Sequence, residues 1–218
     1  MVIKVDNDTV VVFDLDDTLY NELDYLKSAY KSIAVFLEPH NWHQLYVKMF
    51  SIYRNKQNVF EHIAQLYKID IDVLIEMYRN HKPVIQLVDG ALDILNAIKI
   101  KNGKLGLITD GRSKTQRAKI ESLGLSHYFD KIIISEEIGS EKPNVNNYKI
   151  IEDTFPNNSY YYIADNLKKD FVAPNNLGWK TIMLIDNGKN IHFESYNTID
   201  VKYLPHNYIL SLKDLRII

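Results

Sequence analysis

The chain has 218 residues, of which 46% are hydrophobic and 25% are charged, as in a globular protein with one core and room for a small accessory domain. Its formal net charge of −2 at pH 7 provides no overall positive field, so we expect neither nucleic acid nor a membrane surface as a partner. The absence of cysteine excludes disulfides, thiolate metal sites and a cysteine nucleophile.

The first predicted element is a buried strand over residues 10–15. Its continuous apolar, β-branched run is typical of a parallel strand that is covered on both faces. The run ends abruptly in Asp14, Asp16 and Asp17, with Thr18 behind them. Packing alone gives no reason to place so many like charges at the end of so apolar a segment.

A helical insert follows this strand, because residues 22–81 show no convincing strand pattern. Four amphipathic helices are predicted, over residues 22–38, 41–55, 58–68 and 70–80. The aromatic residues of this insert recur at helical spacing, which favours packing in a small helical core over a base-stacking pocket.

From residue 90 onward, predicted helices and strands alternate. Helices are predicted over residues 91–100, 114–125, 144–155 and 168–178, and strands over 104–111, 131–135, 160–166 and 180–186. Residues 207–215 could add a short edge strand and a turn of helix. Such alternation implies parallel pairing with right-handed crossovers. We therefore predict an α/β fold, a doubly wound parallel sheet that is interrupted after its first strand by an all-helical insert.

No apolar run reaches the length of a signal-peptide core or a membrane span, so we expect a soluble, cytoplasmic protein. The pattern carries no information on oligomeric state.

The carboxyl ends of the predicted strands carry the polar residues of interest, because ligands of such sheets bind beyond these ends. Asp14 and Asp16 repel each other unless a cation or a shared proton intervenes, and a divalent metal would also let an anionic phosphate approach. A turn or helix N-cap is the alternative for a single Asp, but the Asp-x-Asp-x-Thr pattern after a buried strand favours a functional site.

The other strand ends are weaker signals when each is taken alone. Thr109 and Asp110 could hold phosphate oxygens, or could simply form a turn and cap. Lys142 could neutralise a phosphate, although most lysines are solvated. Pro143 after it is expected to begin a helix. Asp165 could bind a metal or serve as a helix N-cap, and Asp170 is expected on the first turn of the helix that follows.

Taken together, these four sites resemble the motifs of the haloacid dehalogenase superfamily of phosphohydrolases. "DLDDT" at 14–18 matches its first motif, Thr109 its second, and Lys142 in "EKP" its third. "ADNLKKD" offers Asp165 and Asp170 for the fourth, with alanine in place of the usual glycine.

The resemblance implies a Rossmann-like catalytic core over residues 1–19 and 86–218. It also implies that residues 20–85 form a helical cap that closes over the active site.

The same resemblance implies roles for the acidic residues. Asp14 is the expected nucleophile, and Asp16 the acid that protonates the leaving alcohol and then activates water. Mg²⁺ is the expected cofactor, held by Asp14, by Asp16 through its backbone carbonyl, and by Asp165. Asp170 is expected to hold Lys142, or a water molecule on the metal, and not to be a direct ligand.

For the phosphate group, the resemblance implies contacts from the Thr109 hydroxyl, the Asp110 N–H and Lys142, which would tie the nucleophile to the phosphate. The expected function is Mg²⁺-dependent hydrolysis of a small phosphate ester, a nucleoside monophosphate or a sugar phosphate, through an aspartyl-phosphate. Asp16 favours phosphate-ester chemistry over dehalogenation. A phosphomutase of the same superfamily and a non-catalytic phosphate-binding relative remain alternatives.

Overall fold

A computed structural model describes residues 1–192 and 200–218 of the chain. The chain divides into two compact units, one formed by residues 1–22 and 86–218 and the other by residues 23–85. The first unit contains the sheet and the second is helical.

The strands of the first unit are short. They are β1 (Val2–Ile3), β2 (Thr9–Phe13), β3 (Lys104–Thr109), β4 (Lys131–Ile134), β5 (Ser159–Ala164), β6 (Lys180–Leu184), β7 (Asn207–Ile209) and β8 (Arg216–Ile217). The main sheet has six strands in the order β4-β3-β2-β5-β6-β7, and all its pairings are parallel. Strands β1 and β8 form a separate parallel pair.

Eight helices of the described residues follow the predicted order, and a short helix at Ser135–Ile138 was not predicted. In chain order, the helices are α1 (Glu22–Leu37), α2 (Trp42–Arg54), α3 (Val59–Tyr67), α4 (Ile71–Asn80), α5 (Ala91–Ile100), α6 (Ser113–Ser122), α7 (Ser135–Ile138), α8 (Asn146–Thr154) and α9 (Val172–Asn176). Short 3-10 turns lie at Val201–Tyr203 and Leu212–Asp214. Helices α5–α9 alternate with the parallel strands, so the predicted α/β fold is confirmed.

The central strand β2 explains why the sheet forms at this position. All five of its residues are buried, and it lies between β3 and β5, with Phe13 opposite Leu107 on one side and Ile163 on the other. Because such a strand is covered on both faces, apolar side chains along its whole length are buried and stabilise the sheet. One face contributes Val10 and Val12 to a core cluster that includes Trp179, whose indole N–H donates to Glu152 at 2.9 Å.

Two predicted helices begin later than expected. The helix after Pro143 begins only at Asn146, because the backbone first makes a turn in which the Asn144 N–H donates to the Glu141 carbonyl at 2.9 Å. The helix predicted from residue 168 begins at Val172. Asp170 therefore precedes this helix and does not lie on its first turn.

A closed turn at residues 166–170 accounts for the second difference. The Asp170 N–H donates to the Asn166 carbonyl at 3.0 Å, and the Asp170 carboxylate accepts the Asn166 N–H at 2.9 Å. The Asn166 side chain also accepts the Lys168 N–H at 3.0 Å. Side-chain bonds of this kind offer the backbone an alternative to helical pairing.

The helical unit has its own aromatic core. Tyr25 and Tyr30 are buried, and the ring of Tyr30 meets those of Tyr53 and Phe60 edge-on at centroid distances of 6.4 Å. The Tyr25 hydroxyl donates to the carbonyl of Tyr78 at 3.0 Å. These contacts fit the predicted packing role of the aromatic residues.

No helix in residues 1–192 and 200–218 combines the length and apolar character that crossing a membrane requires.

Gly106 in β3 offers a direct test of the core packing. A Cβ atom at this position would lie 3.0 Å from Val12 Cγ2 and 3.2 Å from Ile151 Cδ1. We expect Gly106→Val to lower the free energy of unfolding by about 1–3 kcal/mol, as overpacking does. Denaturant unfolding followed by circular dichroism measures this change.

The Ile151→Val variant removes the methyl group at 3.2 Å and serves as the matched partner. The double variant should lose less stability than the sum of the single variants, because contacting residues couple. Simple additivity would show that the close contact is not the cause.

Candidate active site

The carboxyl ends of β2, β3 and β5 meet at one edge of the sheet and open into a cavity of about 300 Å³. Parallel strands bring their carboxyl ends to the same edge, so residues far apart in sequence become neighbours. The residues that line this cavity include six of the seven predicted site residues, namely Asp14, Asp16, Asp110, Lys142, Asp165 and Asp170. The seventh, Thr109, is buried at the end of β3.

Lys142 joins two buried carboxylates in this cavity. Its Nζ lies 2.6 Å from Asp14 Oδ1 and 2.8 Å from Asp170 Oδ1. The Tyr162 hydroxyl donates to Asp170 Oδ1 at 3.0 Å, and Lys142 Nζ lies 3.4 Å from the same hydroxyl. All four side chains are buried, so the ammonium group is held in a single position between its partners.

Asp165 brings a third carboxylate to this group. Carboxylate oxygens of Asp14, Asp165 and Asp170 lie within 4.8 Å of one another. The oxygens of Asp165 also accept hydrogen bonds, from the Thr18 hydroxyl at 3.3 Å and from the Asn190 amide at 2.9 Å.

The charges of this cluster do not balance without a further cation. Three carboxylates face one ammonium group, which leaves two negative charges if all are ionised. Burial raises the pKa of Asp14 to about 8 despite the nearby Lys142, and burial together with Asp14 raises the pKa of Asp165 well above its usual value. Burial opposes the charge of Lys142 as well, but Asp14 and Asp170 outweigh it and raise its pKa. Oxygen ligands with excess negative charge suit a divalent ion such as Mg²⁺, so these residues fit the predicted cofactor.

Asp16 lies in a different electrostatic environment, although it is only two residues from Asp14. Lys119 Nζ donates to its Oδ1 at 2.6 Å, the Tyr20 hydroxyl donates to the same oxygen, and Gln116 Nε2 donates to Oδ2 at 2.8 Å. Burial opposes ionisation, but Lys119 and the hydrogen bonds outweigh it and hold the pKa of Asp16 below its ordinary value.

The end of β3 joins the site through hydrogen bonds. The Thr109 hydroxyl accepts a hydrogen bond from Gln116 Nε2 at 2.5 Å. The Asp110 carboxylate accepts the backbone N–H of Lys142 at 3.0 Å and lies 3.3 Å from Lys169 Nζ. Asp110 thus holds the segment that carries Lys142.

Several residues of the site were not identified from the sequence, chiefly Gln116, Lys119, Tyr162, Glu22 and Asn190. The sequence pattern did carry a signal for Gln116 and Lys119. Gln116 and Lys119 fall on the same buried face of α6 as Ile120, where an amphipathic helix would place apolar residues. The contacts of Tyr162 and Asn190 depend on strand and loop positions that no local pattern reveals.

The chain resembles known proteins along most of its length. A family model described as haloacid dehalogenase-like hydrolase matches residues 11–184. The chain is 34% identical over 129 residues to the pyrimidine 5'-nucleotidase YjjG of Escherichia coli (strain K12), a match that spans 57% of each chain. It is 28% identical to the glyceraldehyde 3-phosphate phosphatase of Methanothermobacter thermautotrophicus, across 94% of this chain and 98% of that protein.

A solved structure shows the same fold. Bacillus subtilis YfnB, determined bound to magnesium, superimposes with a TM-score of 0.63 at 21% identity and covers 95% of this chain and 96% of its own. The resemblance seen in the motifs is confirmed: the chain belongs to the haloacid dehalogenase-like hydrolase family, as a hydrolase of the phosphatase type.

Proposed function

We propose that this protein is a Mg²⁺-dependent phosphomonoesterase that hydrolyses a small phosphorylated metabolite through an aspartyl-phosphate on Asp14. The observation that carries the proposal is the buried group of Asp14, Asp165 and Asp170 around a single lysine, Lys142. Such a group suits a nucleophile, a cation and an anionic substrate that share one site.

Asp14 is the proposed nucleophile. One of its oxygens accepts a hydrogen bond from Lys142, and the other would attack phosphorus as the bond to the leaving oxygen breaks. Lys142 would hold the carboxylate in position and offset the charge of the phosphate. Water would then attack the phosphorus of the aspartyl-phosphate, release inorganic phosphate and regenerate the Asp14 carboxylate.

Asp16 is the proposed acid and base. The low pKa of Asp16 beside Lys119 leaves it ionised before substrate binds, which is the form that accepts a proton from the hydrolytic water. An arriving phosphate places a like charge beside Asp16 and so raises its pKa, which favours the protonated form that the leaving alcohol requires.

Asp14, Asp165 and the backbone carbonyl of Asp16 are the proposed Mg²⁺ ligands. The ion would supply charge neutralisation at the phosphate oxygens. Asp170 would keep Lys142 aligned, since it contacts Lys142 Nζ at 2.8 Å. The Thr109 hydroxyl and the Asp110 N–H are the proposed phosphate donors.

The helical segment, residues 20–85, is the proposed cap that selects the substrate. Relatives act on pyrimidine nucleotides and on glyceraldehyde 3-phosphate by their names, which supports a nucleoside monophosphate or a sugar phosphate here.

Hydrolysis is favoured over phosphomutase activity by the charge of the cavity lining. Among the described residues, eight acidic side chains line the cavity against two lysines and one histidine. Lys142 pairs with Asp14 and Asp170, and Lys169 pairs with Asp110. A phosphomutase must hold a bisphosphate. The second phosphate group of such a molecule would find little positive charge in this cavity.

The nucleophile can be tested with a panel of phosphate monoesters in the presence of Mg²⁺. We expect the wild-type protein to release phosphate, and Asp14→Asn to lower kcat by at least ~10³-fold, because the amide is not a nucleophile. Asp153→Asn, an exposed position on α8, is the matched control and should retain full activity. A rate that survived in Asp14→Asn would refute the assigned nucleophile.

The cation can be tested through stability and pH. Burial raises the pKa of Asp14 and of Glu22 to about 8 and that of Asp17 to about 6, so these groups hold protons in the folded chain that the unfolded chain has lost. Without metal, Tm should therefore fall as pH rises from about 5 to about 8. At pH 8, Mg²⁺ at a hundredfold its Kd should restore about 2.7 kcal/mol of stability.

Differential scanning calorimetry measures both effects. Choline chloride at equal ionic strength controls for charge screening. If Mg²⁺ and choline gave the same Tm at pH 8, the acidic cluster would not be a divalent-cation site.

Product analysis distinguishes hydrolysis from a phosphomutase reaction, in which the phosphoryl group is returned to the sugar. We expect hexose phosphates, where they react, to yield free inorganic phosphate in a 1:1 ratio with the sugar consumed. Phosphorus NMR identifies both products directly. An isomerised sugar phosphate without free phosphate would support the phosphomutase instead.

A further inference from the structure

Gln116 makes two hydrogen bonds from one nitrogen atom. Its Nε2 donates to Asp16 Oδ2 at 2.8 Å and to Thr109 Oγ1 at 2.5 Å. An amide nitrogen carries two hydrogens, so both bonds can form together. Gln116 thereby links the carboxylate after β2 to the hydroxyl at the end of β3.

The opposite oxygen of Asp16 is held separately. Lys119 and Tyr20 both donate to Oδ1, whereas Gln116 donates to Oδ2. Removing the Gln116 amide would therefore leave Asp16 paired with Lys119 but free to rotate about that contact. Gln116 helps Lys119 and Tyr20 keep the pKa of Asp16 low, and it alone among these three donors holds Oδ2 and so fixes the orientation of the carboxylate.

The fold provides dedicated room for this side chain. Gln116 is 2% exposed, although it lies on a largely polar helix, α6. A Cβ atom on Gly111 would lie 3.2 Å from Gln116 Cδ and 3.4 Å from Cγ. Gly111 also has φ of +133°, a conformation that side chains rarely adopt, so glycine here both permits the turn and accommodates the glutamine.

We infer that Gln116 is a positioning residue that sets the acid/base carboxylate of Asp16 relative to the phosphate-binding hydroxyl of Thr109. The inference rests on the proposed function. Asp16 must reach the leaving oxygen while Thr109 contacts another oxygen of the same phosphorus. Because the two phosphate oxygens are bonded to one atom, the two protein groups need a fixed separation, which a shared amide donor supplies.

The test uses substrates that differ in their need for an acid. An alkyl phosphate has a poor leaving group that requires a proton, whereas para-nitrophenyl phosphate leaves as a stabilised anion. We expect Gln116→Met, which keeps the length of the side chain but removes both donors, to lower kcat for the alkyl phosphate by ~10–100-fold. For the aryl phosphate, kcat should fall by less than about threefold.

A second variant guards against misfolding of the first. Gln116→Leu also removes both donors without adding a charge beside Asp16, so it should show the same selective loss on the alkyl phosphate. Lys114→Met, an exposed position on the same helix, is the matched control and should leave both rates unchanged. Thermal unfolding of each variant reports whether the fold is retained.

The outcomes distinguish this inference from the proposed function. If the wild-type protein hydrolysed neither substrate, the proposed function itself would fail. If the wild type were active and a folded Gln116 variant lost both rates equally, or neither, the positioning role would be wrong while the phosphatase assignment stood.

Discussion

Burial of three carboxylates around one ammonium group is the constraint on which the rest of this site depends. Lys142 contacts Asp14 and Asp170 directly, and Asp165 lies beside them with no cationic partner of comparable proximity among the described residues. Removing charges from water is costly unless they are paired, so the cluster is stable only with protons or with an added cation. The same excess of negative charge is what suits this cluster to the Mg²⁺ ion proposed above.

Two carboxylates that are nearly adjacent in sequence acquire opposite properties in this fold. Burial raises the pKa of Asp14, whereas Lys119 and hydrogen-bond donors lower that of Asp16 despite its burial. Pairs of acids whose environments separate their pKa values commonly divide nucleophilic and proton-transfer work. Helix α6 supplies both Lys119 and Gln116 to Asp16, so one helix determines the charge and the orientation of the proposed acid.

The parallel sheet explains how residues that are far apart in sequence meet at this site. Strands β2, β3 and β5 end at one edge, and each contributes a buried polar residue, Asp14, Thr109 or Asp165, at or directly after its last position. Fold likeness alone does not assign a reaction, since one fold hosts many chemistries. The assignment to phosphate-ester hydrolysis rests instead on the acidic cluster, on Lys142 and on relatives that are phosphatases and nucleotidases by name.

The sequence by itself determined the α/β class and the order of most elements, because buried strands and amphipathic helices leave local patterns. It also singled out Asp14, Asp16, Thr109, Asp110, Lys142, Asp165 and Asp170 as candidate site residues, because these polar residues follow predicted strands. Only the tertiary structure decided that Asp170 precedes its helix, that Gln116 bridges Asp16 and Thr109, and that Tyr162 and Asn190 reach the acidic cluster. The Gln116–Asp16 and Asn190–Asp165 contacts join residues far apart in the chain through the register of neighbouring strands and the path of loops, whereas the position of Asp170 follows from the turn at residues 166–170. Hydrogen-bond partners and burial depend on that three-dimensional packing, and no single stretch of sequence encodes them.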